Sequence, residues 1–60
     1  MHLTDERAVT SFCDYLEASE KLGVSVNDAM ISEIRRHYPS PACQEIITAA
    51  VERYRARLMT

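Results

Sequence analysis

The chain is divided into its elements by the segment RRHYPSPA, residues 35–42. Pro39 disfavours helical geometry at the residue before it, so a helix that reaches Tyr38 ends there. Ser40 is a preferred helix N-cap, and Pro41 follows at the first helical position, where its missing amide costs nothing. The segment therefore predicts the end of one helix and the start of the next, with almost no loop between them.

Apolar residues recur every three or four positions on both sides of this segment, which is the spacing of one helical face. The downstream stripe predicts a helix over about residues 41–58. The upstream stripe predicts a helix over about residues 25–38, with Ser25 as its N-cap. The downstream stripe consists of Cys43, Ile47, Ala50, Tyr54 and Leu58, and the upstream stripe of Val26, Met30, Ile34 and Tyr38.

A third helix is predicted at the start of the chain, over about residues 4–22. Thr4 is a suitable N-cap, and Leu3 and Ala8 occupy the two positions of a hydrophobic staple. Gly23 ends the helix, because glycine accepts the left-handed conformation of a helix C-terminus. The apolar stripe of this helix is Val9, Phe12, Cys13, Leu16 and Leu22.

These elements predict an all-α fold: a single compact three-helix domain spanning residues 1–60, with no strand. The connections around residues 23–24 and 39–40 are short, so we expect helices that follow each other in sequence to pack as neighbours. The expected core comprises Val9, Phe12, Leu16, Met30, Ile34, Ile47, Ala50, Tyr54 and Leu58.

Composition argues against an enzyme. A chain of 60 residues has little material to enclose a cofactor and a substrate, and its one glycine rules out a glycine-rich phosphate loop. Four metal-ligand side chains, His2, Cys13, His37 and Cys43, are spread over three segments without ligand spacing. We therefore expect no catalytic residues, no metal and no cofactor, and two reduced thiols that pack as small apolar groups.

The sequence predicts a soluble, cytoplasmic protein. No apolar run is longer than Ala49-Ala50-Val51, far short of the roughly 20 residues that span a bilayer. The first seven residues contain acids where a signal peptide carries a basic region followed by an apolar one.

Charge is divided between the two halves of the chain. Residues 1–33 contain seven acids and two bases, and residues 34–60 contain five arginines and two acids. Acids at helix N-termini and bases at C-termini suit the helix dipoles, and charged helix faces are usually solvated. The alternatives are that the acidic face docks on a basic surface, or that the arginines contact phosphates.

The first functional hypothesis is a small non-enzymatic interaction protein that occupies a surface of a larger partner. Small inhibitors of phages and plasmids, such as anti-CRISPR proteins, often work in this way. In the helix predicted over about residues 41–58, Ile46, Ala49 and Val51 widen the apolar face, which also makes a homodimer an open alternative. The predicted partner-binding residues are the acids Asp14, Glu17 and Glu20, with Ile31 and Ile46, which lie off the core stripes.

The second hypothesis is a small DNA-binding regulator. The segment Ser19–Ser25 (SEKLGVS) resembles the end of the first helix and the turn of a helix-turn-helix motif. The resemblance implies that residues 26–37 form a recognition helix, with Asn27, Arg35 and Arg36 as nucleic-acid contacts. The net charge of −2 favours the first hypothesis, because DNA-binding domains of this size usually carry a basic patch.

Overall fold

The computed structural model describes residues 5–59, which form three helices. They are α1 (Glu6–Lys21), α2 (Asp28–His37) and α3 (Pro41–Leu58). Within this part of the chain there is no strand, and no helix is both long and apolar enough to cross a bilayer. The predicted all-α three-helix domain is confirmed. The predicted roles of Thr4 as a cap and Leu3 as half of a staple lie outside the described residues.

Helix α1 is closed at both ends by local hydrogen bonds. The Asp5 side chain is its N-cap and accepts a bond from the Arg7 backbone N–H at 3.0 Å. At the other end Gly23 has a φ of +93°, and its N–H bonds to the Glu20 carbonyl at 3.0 Å. The Val24 N–H bonds to the Ser19 carbonyl at 2.9 Å, which completes a Schellman motif. Gly23 thus ends the helix as predicted.

Helix α2 begins three residues later than predicted. Its N-cap is Asn27, whose side-chain oxygen accepts a bond from the Met30 N–H at 2.9 Å. Ser25 is therefore not the cap, and the prediction of a helix from residue 25 was wrong. Val26 precedes the helix and packs against the core, so the position of the cap follows from tertiary contact.

Helix α3 has the predicted bounds. Its N-cap is Ser40, whose hydroxyl accepts a bond from the Cys43 N–H at 3.2 Å. Pro41 occupies the first turn, and Tyr38 is the C-cap of α2. The connection between the two helices is as short as the sequence indicates.

The central element is α3, which packs against α1 and also against α2. Within residues 5–59, no Cα atom of α1 lies within 8 Å of one in α2. The prediction that sequential helices pack as neighbours holds for α2 and α3, whereas α1 and α2 share the core cluster through their side chains without this close backbone approach. The described chain measures 35 × 25 × 16 Å along its principal axes.

The core differs from the expected one at several positions. Ile31, which we placed off the stripe of its helix, is buried with 8% of its surface exposed. Leu58, which we placed in the core, is 57% exposed in the last turn of α3. Phe12, Met30 and Ile34 are only partly buried against the core. The buried apolar residues are Val9, Cys13, Leu16, Ile31, Ile47, Ala50, Val51 and Tyr54.

Candidate functional site

The candidate site is an open apolar groove of about 390 Å³, to which all three helices contribute. Helices α1 and α3 and the end of α2 all supply side chains to its lining. None of the lining residues is Asp, Glu, Lys, Arg or His. The groove is lined by Phe12, Tyr15, Ile34, Tyr38, Cys43, Ile46 and Ile47.

Aromatic rings form much of this groove. The rings of Phe12 and Tyr15 stack, with centroids 5.9 Å apart and planes inclined by 16°. Tyr15 is 53% exposed and Tyr38 is 57% exposed. Tyrosine joins a large apolar ring to a polar hydroxyl, so half-exposed tyrosines are suited to protein contacts. The arrangement offers a partner rigid aromatic surface around an apolar depression.

A hydrogen-bonded clamp positions Tyr38 by holding the end of α2 on α3. The Arg35 guanidinium donates to Gln44 Oε1 and to Thr48 Oγ1, each at 2.9 Å. The Gln44 side-chain amide donates to the Tyr38 carbonyl at 2.8 Å and to the Arg35 carbonyl at 3.1 Å. Arg35, which the helix-turn-helix resemblance assigned to nucleic-acid contact, is thus engaged within the chain.

The three acids predicted to bind a partner face α3. The Arg57 guanidinium lies 3.6 Å from Asp14 and also pairs with Glu17. The Tyr54 hydroxyl donates to Glu20 Oε1 at 2.8 Å. Burial, followed by this hydrogen bond, raises the pKa of Tyr54, and the hydrogen bond to Glu17 raises the pKa of Arg57. These acids therefore contribute to the α1–α3 contact.

Other arginines of α3 also form ion pairs with acids of the neighbouring helices. Arg53 lies 2.7 Å from Glu6, and its hydrogen bond and charge lower the pKa of that carboxyl. Arg53 also donates to the Thr10 hydroxyl at 3.2 Å, and Arg55 donates to Asp28 at 3.1 Å. The arginines near the end of α3 are thus paired with acids of α1 and α2.

The remaining residues of the DNA-binding hypothesis do not form a basic surface. Asn27 caps α2, and the Arg36 side chain is 77% exposed but lies 3.9 Å from Glu33. A helix-turn-helix packs two helices across a turn of three or four residues. Here a longer stretch, 22–27, separates α1 from α2, and the two helices do not approach at the backbone.

The two isoleucines predicted to bind a partner have different environments. Ile46 lines the groove and is partly buried, as an accessible apolar residue should be. Ile31 is in the core, which leaves little of it for a partner. The sequence missed the two tyrosines of the site. Tyr15 lies off the predicted stripe but three residues after Phe12, and that spacing on one helix was the available signal.

The two thiols lie in different environments. Cys13 is buried, and this burial raises its pKa, which favours the unreactive thiol form. Cys43 is half-buried in the groove, and both cysteines are free. Among residues 5–59 no three His, Cys, Asp or Glu side chains are grouped to hold a metal ion. His2 lies outside the described residues.

Comparison with known proteins gives no relative. No family model matches the chain, and neither a curated protein nor a solved structure resembles it significantly.

Proposed function

We propose that this chain is a non-enzymatic, cytoplasmic interaction protein that binds a larger protein through the groove. The observation that supports this is the apolar groove flanked by two half-exposed tyrosines. Exposing this much aromatic surface is unfavourable for a small monomer, and covering it on binding recovers hydrophobic free energy.

The kind of partner follows from the chemistry of the groove. Its lining offers neither a charge nor a row of free backbone groups for strand pairing, so side-chain packing must supply most of the affinity. An amphipathic helix that places apolar side chains in a groove is a common recognition mode of this kind. Phe12 and Ile46 would contact the inserted side chains, and Tyr15 and Tyr38 would contact the flanks of the helix.

The proposed action is occupancy: the bound chain covers a surface that the partner needs. Small inhibitors of phages and plasmids, including anti-CRISPR proteins, act in this way. Asp14, Glu17 and Glu20 remain candidates for a secondary contact with a basic surface. Their pairing with Arg57 and Tyr54 makes the groove the stronger candidate.

A matched pair of substitutions tests the groove. Tyr38→Ala removes an aromatic side chain from the groove, whereas Leu58→Ala removes an equally exposed side chain, also 57%, that does not line it. If Tyr38 is a binding hot spot worth at least about 2 kcal/mol, its loss weakens binding by roughly 30-fold. The tagged parent identifies a partner by pull-down from host lysate and mass spectrometry, and purified partner is then titrated with each variant.

The control should bind like the parent, and both variants should keep the helical circular dichroism spectrum. Equal affinity of Tyr38→Ala and the parent would show that the groove is not the binding site. A gel shift with duplex DNA that weakens steeply with salt would instead support the helix-turn-helix hypothesis.

A further inference from the structure

The C-terminal turn of α2 needs hydrogen-bond donors from outside the helix. The last four carbonyls of an α-helix have no intrahelical partner, and Pro39 has no N–H that could continue the series. Tyr38 is the C-cap, and its φ of −129° and ψ of 73° have already left helical geometry. The carbonyls of this turn must therefore be satisfied by water or by another element of the fold.

Gln44 of α3 supplies two of these donors. Its side-chain amide donates to the Tyr38 carbonyl at 2.8 Å and to the Arg35 carbonyl at 3.1 Å. Its Oε1 atom accepts from the Arg35 guanidinium at 2.9 Å. The two ends of this amide thus have separate roles, because the oxygen holds the Arg35 side chain and the nitrogen holds the backbone of the turn.

The position of the Tyr38 ring depends on the backbone of this turn. Within residues 5–59 the Tyr38 side chain has no hydrogen-bond partner, and the residue is 57% exposed. Tyr38 and Ile34 are the two residues that the end of α2 contributes to the groove, whereas Gln44 does not line it. Holding the backbone of the turn therefore holds one flank of the groove.

We propose that Gln44 is a positioning residue: its two amide donors keep the Tyr38 ring in place as a flank of the groove before any partner binds. The proposal deepens the proposed function and rests on it, since the flank matters only if the groove binds a partner. A flank that is already ordered need not be ordered on binding, which strengthens binding without a new contact. Gln44 therefore raises the affinity for a partner that it does not touch.

The two free thiols report on this arrangement from different depths. Cys43 is half-buried and lines the groove, whereas Cys13 is fully buried in the core. Alkylation of Cys43 by N-ethylmaleimide therefore measures access to the groove, and alkylation of Cys13 measures opening of the core. Peptide mass spectrometry separates the two rates. Each rate is divided by the rate for the same variant unfolded in urea, which removes differences in intrinsic reactivity.

Gln44→Glu is the main test. It keeps the shape of the side chain and an acceptor for Arg35, but it removes the donors to both carbonyls. Cys43 alkylation should become at least about threefold faster, because the loss of one net hydrogen bond shifts an equilibrium by roughly twofold to tenfold. The added negative charge disfavours the Cys43 thiolate and by itself slows the reaction, so a faster rate reports on access. Cys13 should stay protected.

Thr48→Val is the matched control. It removes the other acceptor of the Arg35 guanidinium, the Thr48 hydroxyl at 2.9 Å, from a side chain of the same shape. It leaves both donors of Gln44 in place, so the Cys43 rate should stay within about twofold of the parent's rate. If Thr48→Val accelerates Cys43 as much as Gln44→Glu does, the Arg35 side chain positions the turn and the proposal is overturned.

A double variant tests whether Gln44 acts through the Tyr38 ring. Tyr38→Ala should itself accelerate Cys43 alkylation. Adding Gln44→Glu to it should change the rate by less than about twofold, because the ring on which Gln44 acts is already gone. A role of Gln44 unrelated to Tyr38 would add its full effect. That result, or an unchanged Cys43 rate in Gln44→Glu alone, overturns the proposal.

The Cys13 rate distinguishes a local change from general unfolding. If Gln44→Glu also exposes Cys13, Gln44→Met, which removes the donors without adding a charge, replaces it under the same criteria. Exposure of Cys13 in both variants would show that Gln44 supports the whole fold, which contradicts the proposal. None of these measurements needs a partner, so their failure is separate from failure of the groove in the binding test with Tyr38→Ala.

Discussion

At the residue scale, the folded state depends on a few fully buried side chains, and Leu16 is the largest of them. Leu16→Ala should cost about 2–5 kcal/mol, because the removed atoms leave a cavity in a packed core. A core this small rarely supplies more than about 3–5 kcal/mol in total. We expect the variant to be largely unfolded at room temperature, as measured by urea denaturation with circular dichroism.

Leu22→Ala is the matched control for this experiment, because the same atoms are removed from a residue that is 84% exposed. Its urea midpoint, measured at low protein concentration, should stay close to that of the parent. A Leu16→Ala protein with the parent's midpoint would contradict the core described here.

Phe12 shows why a sequence stripe alone overestimates burial. The periodicity places it in the core, where truncation to alanine would cost about 3–5 kcal/mol. In the structure Phe12 is only partly buried and lines the groove beside Tyr15. Its truncation should therefore cost less than that range. Periodicity identifies the face of a helix, but the depth of each residue depends on which helices cover that face.

At the scale of the elements, the start of α2 gives a sharp prediction. Asn27→Ala removes the side-chain oxygen that accepts the Met30 N–H, and it should destabilise the protein by about 0.5–2 kcal/mol. Ser25→Ala, two residues earlier, should change the free energy of unfolding little, because Ser25 makes no capping bond. Chemical denaturation of both variants measures the free energy of unfolding. A larger decrease for Ser25→Ala than for Asn27→Ala would show that Ser25 is the N-cap, as the sequence suggested.

The sequence predicted some helix ends better than others for a physical reason. Around Pro39 and Pro41 the constraint is steric and local, so the bounds of α3 follow from adjacent residues. Ser25 and Asn27 are both good N-caps, and the choice between them depends on the packing of Val26 against residues distant in sequence. Local rules cannot resolve such a choice.

The same distinction applies to the candidate site. Ile46 was identified because it lies off its stripe, which is a local property. The clamp between Arg35 and Gln44 joins two helices, so the sequence offered Arg35 only as a base near a helix C-terminus and as a nucleic-acid contact. Tyr15 and Tyr38 line the same groove only after α1 and α2 have both packed against α3.

At the scale of the whole molecule, the divided charge of the sequence becomes pairing between helices. Arg53 holds Glu6 by a hydrogen bond and lowers its pKa below the ordinary value of about 4.5. The folded state therefore gains stability above about pH 4.5, and this gain disappears as the pH falls through the lowered pKa. Glu6→Gln should melt a few degrees below the parent at neutral pH, and the difference should vanish in acid.

Thermal melts of the two proteins between neutral pH and about pH 2.5 measure this effect. Glu52→Gln is the control, since that carboxylate makes no ion pair within residues 5–59, and its melting temperature should follow the parent at every pH. A constant difference between Glu6→Gln and the parent would show that the ion pair does not contribute.

The central position of α3 has a consequence for synthesis on the ribosome. Helix α1 has no backbone neighbour in α2, and its packing partner begins only at Pro41. A ribosome adds about 5–20 residues per second, so several seconds pass between the synthesis of α1 and that of α3. During that interval its apolar stripe is exposed, and isolated helices of about this length are only marginally stable in water. The packing of α1 must therefore wait until α3 has left the exit tunnel.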